Sequence, residues 1–472
     1  MLLASRSLRS LVPITLAFLI SDPVLPAQDL PKAPHAEVFT LTPTPGPFTE
    51  PAVAVNGANA QQVVAVFQDN VHASYSGDAG HTWQAAEDAA PKNYRVSGDV
   101  STTFDKHGHA FVCYIAFDKL GKFNYWAQGA TRNGIFVRRS LDGGKTWEAE
   151  HSPVAEQPSA PGIPFEDKPY IVADNTSSRF AGNLYIGWTR WRLTDSQMVF
   201  SRSTDDGKTW SQAREIDAHP GLPRDDNGAA EGFDGVVAPD GTLYAIWSQG
   251  DDIMLVKSRD GGKTFSHARP IIRTAPVMFA IQTLERANGF PQIAIDPRSR
   301  RLYVTWSDYR NGDLDVFISA SDDGGKHWSA AARVNTDPPH NGAEQFFQWL
   351  AVDPLDSSVN VLFYDRRGDP VNRKQMVTLA RSTDRGRSFS NYAWTDELFD
   401  ASDVFFGDYT GLAAYGSRVY GVWTEKPVPA PEPAADEKNK PDSKDTKPHR
   451  RGTVVKVGTA DFSDPTGKRA NQ

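Results

Sequence analysis

The chain has 472 residues, 39% of them hydrophobic, and a formal net charge of -8. The negative charge argues against a nucleic-acid partner held by its phosphates and favours a neutral or cationic ligand. Short β-branched and aromatic runs alternate with turn residues, while long windows of helical period are absent, so we expect an all-β fold. A single cysteine, Cys113, excludes an intramolecular disulfide bond.

The N-terminus has the pattern of an export signal. Arg6 and Arg9 precede an apolar run from Leu11 to Ile20 that is too short to span a bilayer, and Ala27 is a small residue suited to cleavage. We therefore expect a signal peptide at 1–27, a secreted or periplasmic protein, and no transmembrane segment after cleavage. The remainder, 28–472, reads as one domain with a disordered, Pro-rich and charged insertion at 426–452.

An eight-residue phrase recurs along the chain, as in SLDGGKTW from Ser140 to Trp147. Successive copies start 55 to 64 residues apart, and the six copies begin at Ser76, Ser140, Ser203, Ser258, Ser321 and Ser382. Each copy follows three short apolar runs and precedes a fourth. A repeat of four short strands predicts a β-propeller, with one blade for each unit.

The second apolar run of each unit ends in an aromatic residue. The number of these aromatic residues indicates the number of blades better than the number of phrases does. Seven such residues occur, at Phe67, Tyr114, Trp188, Trp247, Trp306, Phe363 and Trp423. The last unit lacks a fourth strand, whereas the N-terminal run Ala36 to Pro43 belongs to no unit. We therefore predict seven blades, with the N-terminal strand completing the last blade and closing the ring. Six blades are the alternative.

The phrase itself has the composition of a turn. Its Asp can accept hydrogen bonds from following backbone N–H groups, and its glycines permit positive φ. Too few carboxylates are gathered for a calcium loop. We interpret it as scaffolding on the face away from the ligand site.

The repeated pattern S-x-D-x-G-x-T-W resembles the Asp-box, or bacterial neuraminidase repeat, of sialidase-like propellers. The resemblance covers residues 48–461 and implies an exported, glycan-active protein, in particular a glycoside hydrolase. Sialidases grip the substrate carboxylate with three arginines, and use a Tyr nucleophile with an assisting Glu and an Asp acid/base. The resemblance makes Tyr364 and Tyr409 candidates for the phenol.

Acidic residues mark the beginnings of the inner strands, which surround the channel of a propeller. Aligning the units places five acids at, or one residue from, equivalent positions: Glu50, Asp99, Asp167, Asp234 and Asp408. We expect them to converge on one channel mouth, with the four aspartates as candidate catalytic groups and Glu50 as a substrate ligand. Such carboxylates suit acid–base cleavage of a glycosidic bond, hydrogen bonding to a sugar, or binding of a divalent cation. No dedicated metal site or other cofactor is predicted.

The ends of the second strands reach the same mouth and carry further charged residues. The candidates for substrate binding are Arg190, Asp308, Arg310, Asp365 and Arg366. The arginines among them are also the candidates for the carboxylate-gripping guanidiniums of a sialidase.

One stretch departs from the sialidase pattern. The first sialidase arginine usually lies in an Arg-Ile-Pro-like motif before the first repeat, but here TPGPFTEPAVAVNG contains Glu50-Pro51 and no arginine. Two functions stay open: a propeller that acts on or binds glycans at the channel mouth, and a non-catalytic propeller that binds a small ligand or a protein.

Overall fold

A computed structural model describes residues 30–427 and 452–463, apart from 87–90, 150–151, 218, 226–227, 276–280 and 285. The expected signal peptide and nearly all of the expected insertion lie outside these residues. The described part is all-β, with no helix, and therefore with none long and apolar enough to cross a membrane.

The strands are short and follow one another through the whole described chain. The first thirteen are β1 Glu37–Thr40, β2 Thr49–Val55, β3 Val63–Gln68, β4 His72–Ser76, β5 Gln84–Ala85, β6 Val96–Phe104, β7 Ala110–Phe117, β8 Asn133–Ser140, β9 Ala155–Gln157, β10 Phe165–Ala173, β11 Leu184–Trp191, β12 Ser196–Ser203 and β13 Arg214–Glu215. The next eight are β14 Ala230–Val237, β15 Leu243–Gln249, β16 Asp252–Ser258, β17 Arg269–Arg273, β18 Gln292–Ile295, β19 Leu302–Asp308, β20 Asp315–Ser321 and β21 Ala332–Arg333. The last eight are β22 Gln345–Val352, β23 Val359–Asp365, β24 Lys374–Ser382, β25 Ser390–Ala393, β26 Phe399–Asp400, β27 Gly411–Tyr415, β28 Arg418–Glu425 and β29 Val454–Asp461.

These strands form seven antiparallel sheets within the described residues, so the prediction of a seven-bladed β-propeller is confirmed. Blades 1 to 6 are β2–β5, β6–β9, β10–β13, β14–β17, β18–β21 and β22–β25, and β26 adds to the edge of blade 6. The inner strands β2, β6, β10, β14, β18, β22 and β27 contact one another in a closed ring. Apolar side chains fill the space between neighbouring blades, as in the cluster of Val64, Val112 and the buried Trp147.

Blade 7 contains both ends of the propeller. Its order is β27–β28–β29–β1, and Glu37 and Thr40 of the N-terminal strand pair with Thr459 and Lys456. The predicted closure of the ring by the N-terminal strand is therefore confirmed. The closure ties the two chain ends together and removes a free sheet edge.

The eight-residue phrase forms the turn after the third strand of blades 1 to 6, and each copy has four corresponding hydrogen bonds, with His327 in the place of the Thr or Ser in the fifth copy. In the copy that begins at Ser140, Ser140 Oγ donates to Asp142 Oδ1 at 2.8 Å and accepts from Gly144 N at 2.8 Å. Asp142 also accepts from Thr146 N at 3.0 Å and from Thr146 Oγ1 at 2.8 Å. These turns lie beside the starts of the second strands, at the opposite end of the blades from the acidic mouth, as predicted.

Candidate functional site

An open cleft of about 490 Å³ lies at the mouth where the inner strands begin. One part of its wall is charged and the other part is apolar. Its charged and amide lining residues are Glu50, Gln68, Asp69, Asp99, Asp167, Lys168, Asp225, Glu231, Arg286 and Asp408. The cleft thus brings together four of the five predicted inner-strand acids.

A β-bulge near the beginning of the inner strand aims side chains of several blades at this cleft. In blades 1, 2, 3, 4 and 6 the pairing between the inner and the second strand shifts register. In each of these bulges, the first residue of the inner strand that is left unpaired has positive φ. These residues are Glu50 (52°), Asp99 (48°), Lys168 (50°), Gly232 (76°) and Phe347 (50°). A bulge re-aims a side chain, and residues other than glycine at positive φ carry strain that tends to be kept at functional sites.

Asp408 is the ionised centre of the cleft floor. Arg286 contacts both of its carboxylate oxygens at 2.7 Å, and Lys168 Nζ lies 3.3 Å from Oδ2. Burial opposes ionisation, but the charges of Arg286 and Lys168 outweigh it and lower the pKa of Asp408. Asp408 is therefore a carboxylate at neutral pH.

Glu50 is held by neighbouring backbone and amide groups and has no cationic partner within ion-pair distance in the described residues. Its Oε1 accepts from Asp408 N at 3.0 Å, and its Oε2 accepts from Gln68 Nε2 at 2.6 Å. The close approach requires Gly407, where a Cβ would lie 2.4 Å from the Glu50 side chain. Burial, and then the negative charge of Asp408, raise the pKa of Glu50.

Asp99 and Asp167 form a pair of interacting carboxyl groups. Asp99 is partly exposed to the cleft, and its backbone N–H donates to Gln68 Oε1 at 2.7 Å. Asp167 is buried and accepts from Trp191 Nε1 at 2.8 Å. Burial and the nearby Glu50 raise the pKa of Asp99 to about 8, and burial and the nearby Asp99 also raise the pKa of Asp167. The pair therefore retains a proton at neutral pH.

Two further acids reach the cleft from the segment before and within β14. Asp225 is 1% exposed and forms an ion pair with Arg286, whereas its Oδ1 has no hydrogen-bond partner. Glu231 is 5% exposed, and in the described part of the chain its carboxyl forms neither an ion pair nor a hydrogen bond. Burial and the charge of Asp225 raise the pKa of Glu231.

Aromatic and aliphatic side chains form the apolar wall. Phe123 is 61% exposed and packs edge-on against Trp126, with 6.1 Å between the ring centroids. Both belong to the connection between β7 and β8, and Phe405 lines the cleft from the segment before β27. Exposed aromatic faces next to charged groups are suited to a ligand with both apolar and polar surfaces.

Aromatic rings narrow the central channel beneath the cleft. Trp349 packs against Tyr170 and Tyr409, with ring centroids 5.7 and 5.9 Å apart. The adjacent cavity is only about 30 Å³, and Asp234 lines it. The cleft thus lies at one mouth of the channel, above these rings.

Three of the predicted catalytic residues lie outside the cleft lining. Asp234 follows the equivalent position, Gly232, by two residues, and its oxygens accept from Gly235 N and Ile293 N at 2.7 Å each. Tyr409 donates to the Val100 carbonyl at 3.1 Å. Tyr364 is buried between blades 6 and 7 and donates to the Thr424 carbonyl at 2.7 Å. Burial raises the pKa of both phenols, which are thus protonated hydrogen-bond donors.

The predicted residues at the ends of the second strands also lie outside the lining. They pair with one another or with nearby residues of opposite charge: Arg190 with Glu166 at 2.7 Å, Arg310 with Asp308 at 2.6 Å, Asp365 with Arg367 at 2.6 Å and Arg366 with Glu344 at 3.3 Å. Their role as substrate ligands remains a prediction. In this structure their charges are compensated by these ion pairs.

Sequence reasoning missed Lys168, Asp225, Glu231 and Arg286. Lys168 follows a predicted residue directly and occupies the bulge position that Glu50 and Asp99 occupy in their blades. Asp225 and Arg286 lie in long segments before inner strands. The length of such a segment indicates that it borders the channel mouth, but it does not indicate which of its side chains turns toward the cleft.

Binding of a metal ion would be an alternative use of the acids. Among the described residues, no group of three or more His, Cys, Asp or Glu side chains is arranged to hold a metal ion. A divalent cation at this mouth remains a prediction, which metal analysis after exhaustive dialysis tests.

Comparisons with known proteins bear on the fold. No protein-family model and no curated protein sequence matches the chain. Among solved structures, the phage phi92 endosialidase is 12% identical, with 93% of this chain and 70% of that chain covered and a TM-score of 0.51. The Hadza microbial sialidase Hz136 is 16% identical, with 78% and 72% covered and a TM-score of 0.47. The α-L-arabinofuranosidase of Fusarium graminearum is 14% identical, with 73% and 96% covered and a TM-score of 0.48. The match to the phi92 endosialidase concerns the fold alone and agrees with the β-propeller of the described residues.

Proposed function

We propose that the cleft binds a glycan and hydrolyses a glycosidic bond by acid–base catalysis. The observation that carries the proposal is the opposite protonation of neighbouring carboxyl groups. The Asp99–Asp167 pair keeps a proton at neutral pH, whereas Asp408 is ionised. Environments that push the pKa values of carboxyl groups apart within one cleft create a proton donor beside a negative charge.

The residues have distinct roles in the proposed reaction. The Asp99–Asp167 pair protonates the oxygen of the leaving sugar, so the bond between that oxygen and the anomeric carbon breaks. The Asp408 carboxylate stabilises the positive charge that develops on the remaining ring. Water then adds to the anomeric carbon, and its proton returns to the Asp99–Asp167 pair.

The surroundings of the acids support a sugar ligand. The apolar wall at Phe123 and Trp126 offers a surface for the C–H face of a ring, while the charged wall offers partners for hydroxyl groups. The resemblance of the repeated phrase to the Asp-box is consistent with this proposal. However, the two cations of the cleft, Lys168 and Arg286, are already paired with acids. We therefore do not assign sialic acid as the substrate.

A screen of oligosaccharides tests the proposal. Neutral, amine-bearing and anionic oligosaccharides of six sugars are incubated with the purified protein, and new reducing ends are measured. The proposal is supported if the native protein releases new reducing ends and the Asp99→Asn variant releases far fewer. Binding without turnover favours a glycan-binding propeller, and a folded protein that neither binds nor cleaves any of them overturns both.

A further inference from the structure

The acids of the cleft outnumber its cations within the described residues. Lys168 and Arg286 are its cations, and both are committed to acids. Lys168 pairs with Asp408, and Arg286 pairs with Asp408 and Asp225. No described lining cation is left for an anionic ligand, while further lining acids have no cationic partner within ion-pair distance: Glu50, Asp69, Asp99, Asp167 and Glu231.

Glu231 is the lining acid that most needs a hydrogen-bond donor from a ligand. It is buried in the wall of the cleft, and its carboxyl contacts no described hydrogen-bond donor. The buried Oδ1 of its neighbour Asp225 is also without a donor. Buried polar atoms are nearly always paired, and leaving one unpaired is costly, so Asp225 Oδ1 offers an acceptor to a ligand that brings N–H groups. The Glu231 carboxyl, which lines the same cleft, offers a second acceptor beside it.

We infer that the glycan of this site is an amino sugar whose protonated amine is received by Glu231 and Asp225, a step that rests on the proposed function. An ammonium group supplies the positive charge and the N–H donors that these carboxyl groups lack. The adjacent wall at Phe123 and Trp126 supports a sugar rather than a flexible cationic chain, because a ring presents a flat apolar face to the aromatic side chains.

Binding measurements with four probes test this assignment. A glucosamine hexamer, an N-acetylglucosamine hexamer, cellohexaose and hexalysine are titrated calorimetrically at pH 6.5, where hexalysine is fully protonated and the glucosamine hexamer carries several protonated amines. We expect the glucosamine hexamer to bind at least about tenfold more tightly than each of the other three, because charge-assisted hydrogen bonds contribute more than neutral ones. Its enthalpy should differ between phosphate and Tris buffers, since the incoming ammonium releases protons from the cleft acids.

A pair of variants locates the preference. Glu231→Gln should reduce the preference for the amine to less than about twofold while binding of cellohexaose is retained. Glu425→Gln is the control, because Glu425 is a partly buried acid at the end of β28 that does not line the cleft. It should leave the preference unchanged.

The outcomes separate this assignment from the proposed function. If acetylated or neutral hexamers bind as tightly as the amine, the amino sugar is wrong but a glycan site remains. If hexalysine binds as tightly, the cleft attracts polycations and the assignment also fails. If no hexasaccharide binds, the proposed function itself fails. The probe comparison uses the native protein and so stands even if Glu231→Gln does not fold.

Discussion

Arg286 contacts both carboxylate oxygens of Asp408 at 2.7 Å in the floor of the cleft. Arg286 also pairs with Asp225, so one guanidinium links two long segments that precede inner strands of different blades. This arrangement fixes the ionised state of Asp408 beside the protonated Asp99–Asp167 pair. The proposed chemistry of the cleft depends on this contrast.

Removal of the guanidinium should destabilise the protein. Arg286→Gln leaves Asp408 and Asp225 buried with less compensation, and we expect a loss of about 3 kcal/mol in the free energy of unfolding. Urea denaturation measures the loss. Arg385→Gln is the control, because the Arg385–Asp322 pair is exposed and should contribute less than about 1 kcal/mol. Equal losses in the two variants would contradict the role of Arg286.

The strained backbone at Asp99 should reveal a conflict between stability and function. At φ of 48° a glycine is relaxed and an alanine is strained. We therefore expect Asp99→Gly to be more stable than Asp99→Ala by about 1 kcal/mol, although both lose activity.

A neighbouring position provides the control for strain. Ser101 is in the same strand and does not have positive φ. Here Ser101→Ala should be more stable than Ser101→Gly, because glycine loses more conformational freedom on folding. The same order at both positions in denaturation experiments would show that strain at Asp99 is absent.

Stability should fall as pH rises through the neutral range. The folded protein holds the proton of Asp99 up to a pKa of about 8, whereas the unfolded chain releases it near 4. Folding therefore binds a proton between these values, and the free energy of unfolding decreases from about pH 4 to about pH 8. Asp99→Asn should flatten this dependence in thermal melts recorded across the range.

Asp217 is the control for the effect of burying an acid outside the cleft. It lies outside the cleft lining, and burial raises its pKa to about 6. Asp217→Asn should therefore change the slope only below about pH 6. Stability that stays level or rises between pH 6 and 8 in the native protein would be the contrary result.

The repeated turns should matter for stability but not for the cleft. Asp260 accepts hydrogen bonds from Ser258 Oγ, Thr264 N and Thr264 Oγ1, so Asp260→Ala should cost about 2 kcal/mol. These bonds lower its pKa to about 2, so its contribution is present above about pH 4 and is lost as pH falls through 2. Denaturation at pH 7 and pH 2.5, with ligand binding measured in parallel, checks both points. Reduced ligand affinity in the folded variant would contradict the separation.

The sequence allowed the propeller to be predicted because its signals are local and repeated. The phrase at Ser140 contains all the partners of its own turn, and aromatic residues such as Trp188 recur once per blade. The N-terminal strand was assigned because the last unit lacked a strand. Each of these inferences used the count and order of short segments.

The cleft was harder to predict because it depends on backbone direction and long-range partners. A bulge turns Lys168 to the place that Asp99 occupies in its blade, whereas Asp234 falls beyond the equivalent bulge and binds backbone N–H groups. Arg286 meets Asp408 across 122 residues of sequence. Such contacts follow from the closed ring and leave no spacing pattern in the chain.

Proton donation in the cleft is tested most directly by the pH dependence of glycan hydrolysis. The rate of reducing-end release is measured from pH 4 to pH 10 for the native protein, Asp99→Asn, Asp167→Asn and the control Asp217→Asn. We predict that native activity falls above about pH 8, that each cleft variant lowers kcat about 100-fold or more, and that the control is unaffected. Native-like turnover by Asp99→Asn and Asp167→Asn would contradict the proposed role of this pair as proton donor, and so would the absence of turnover by the folded native protein.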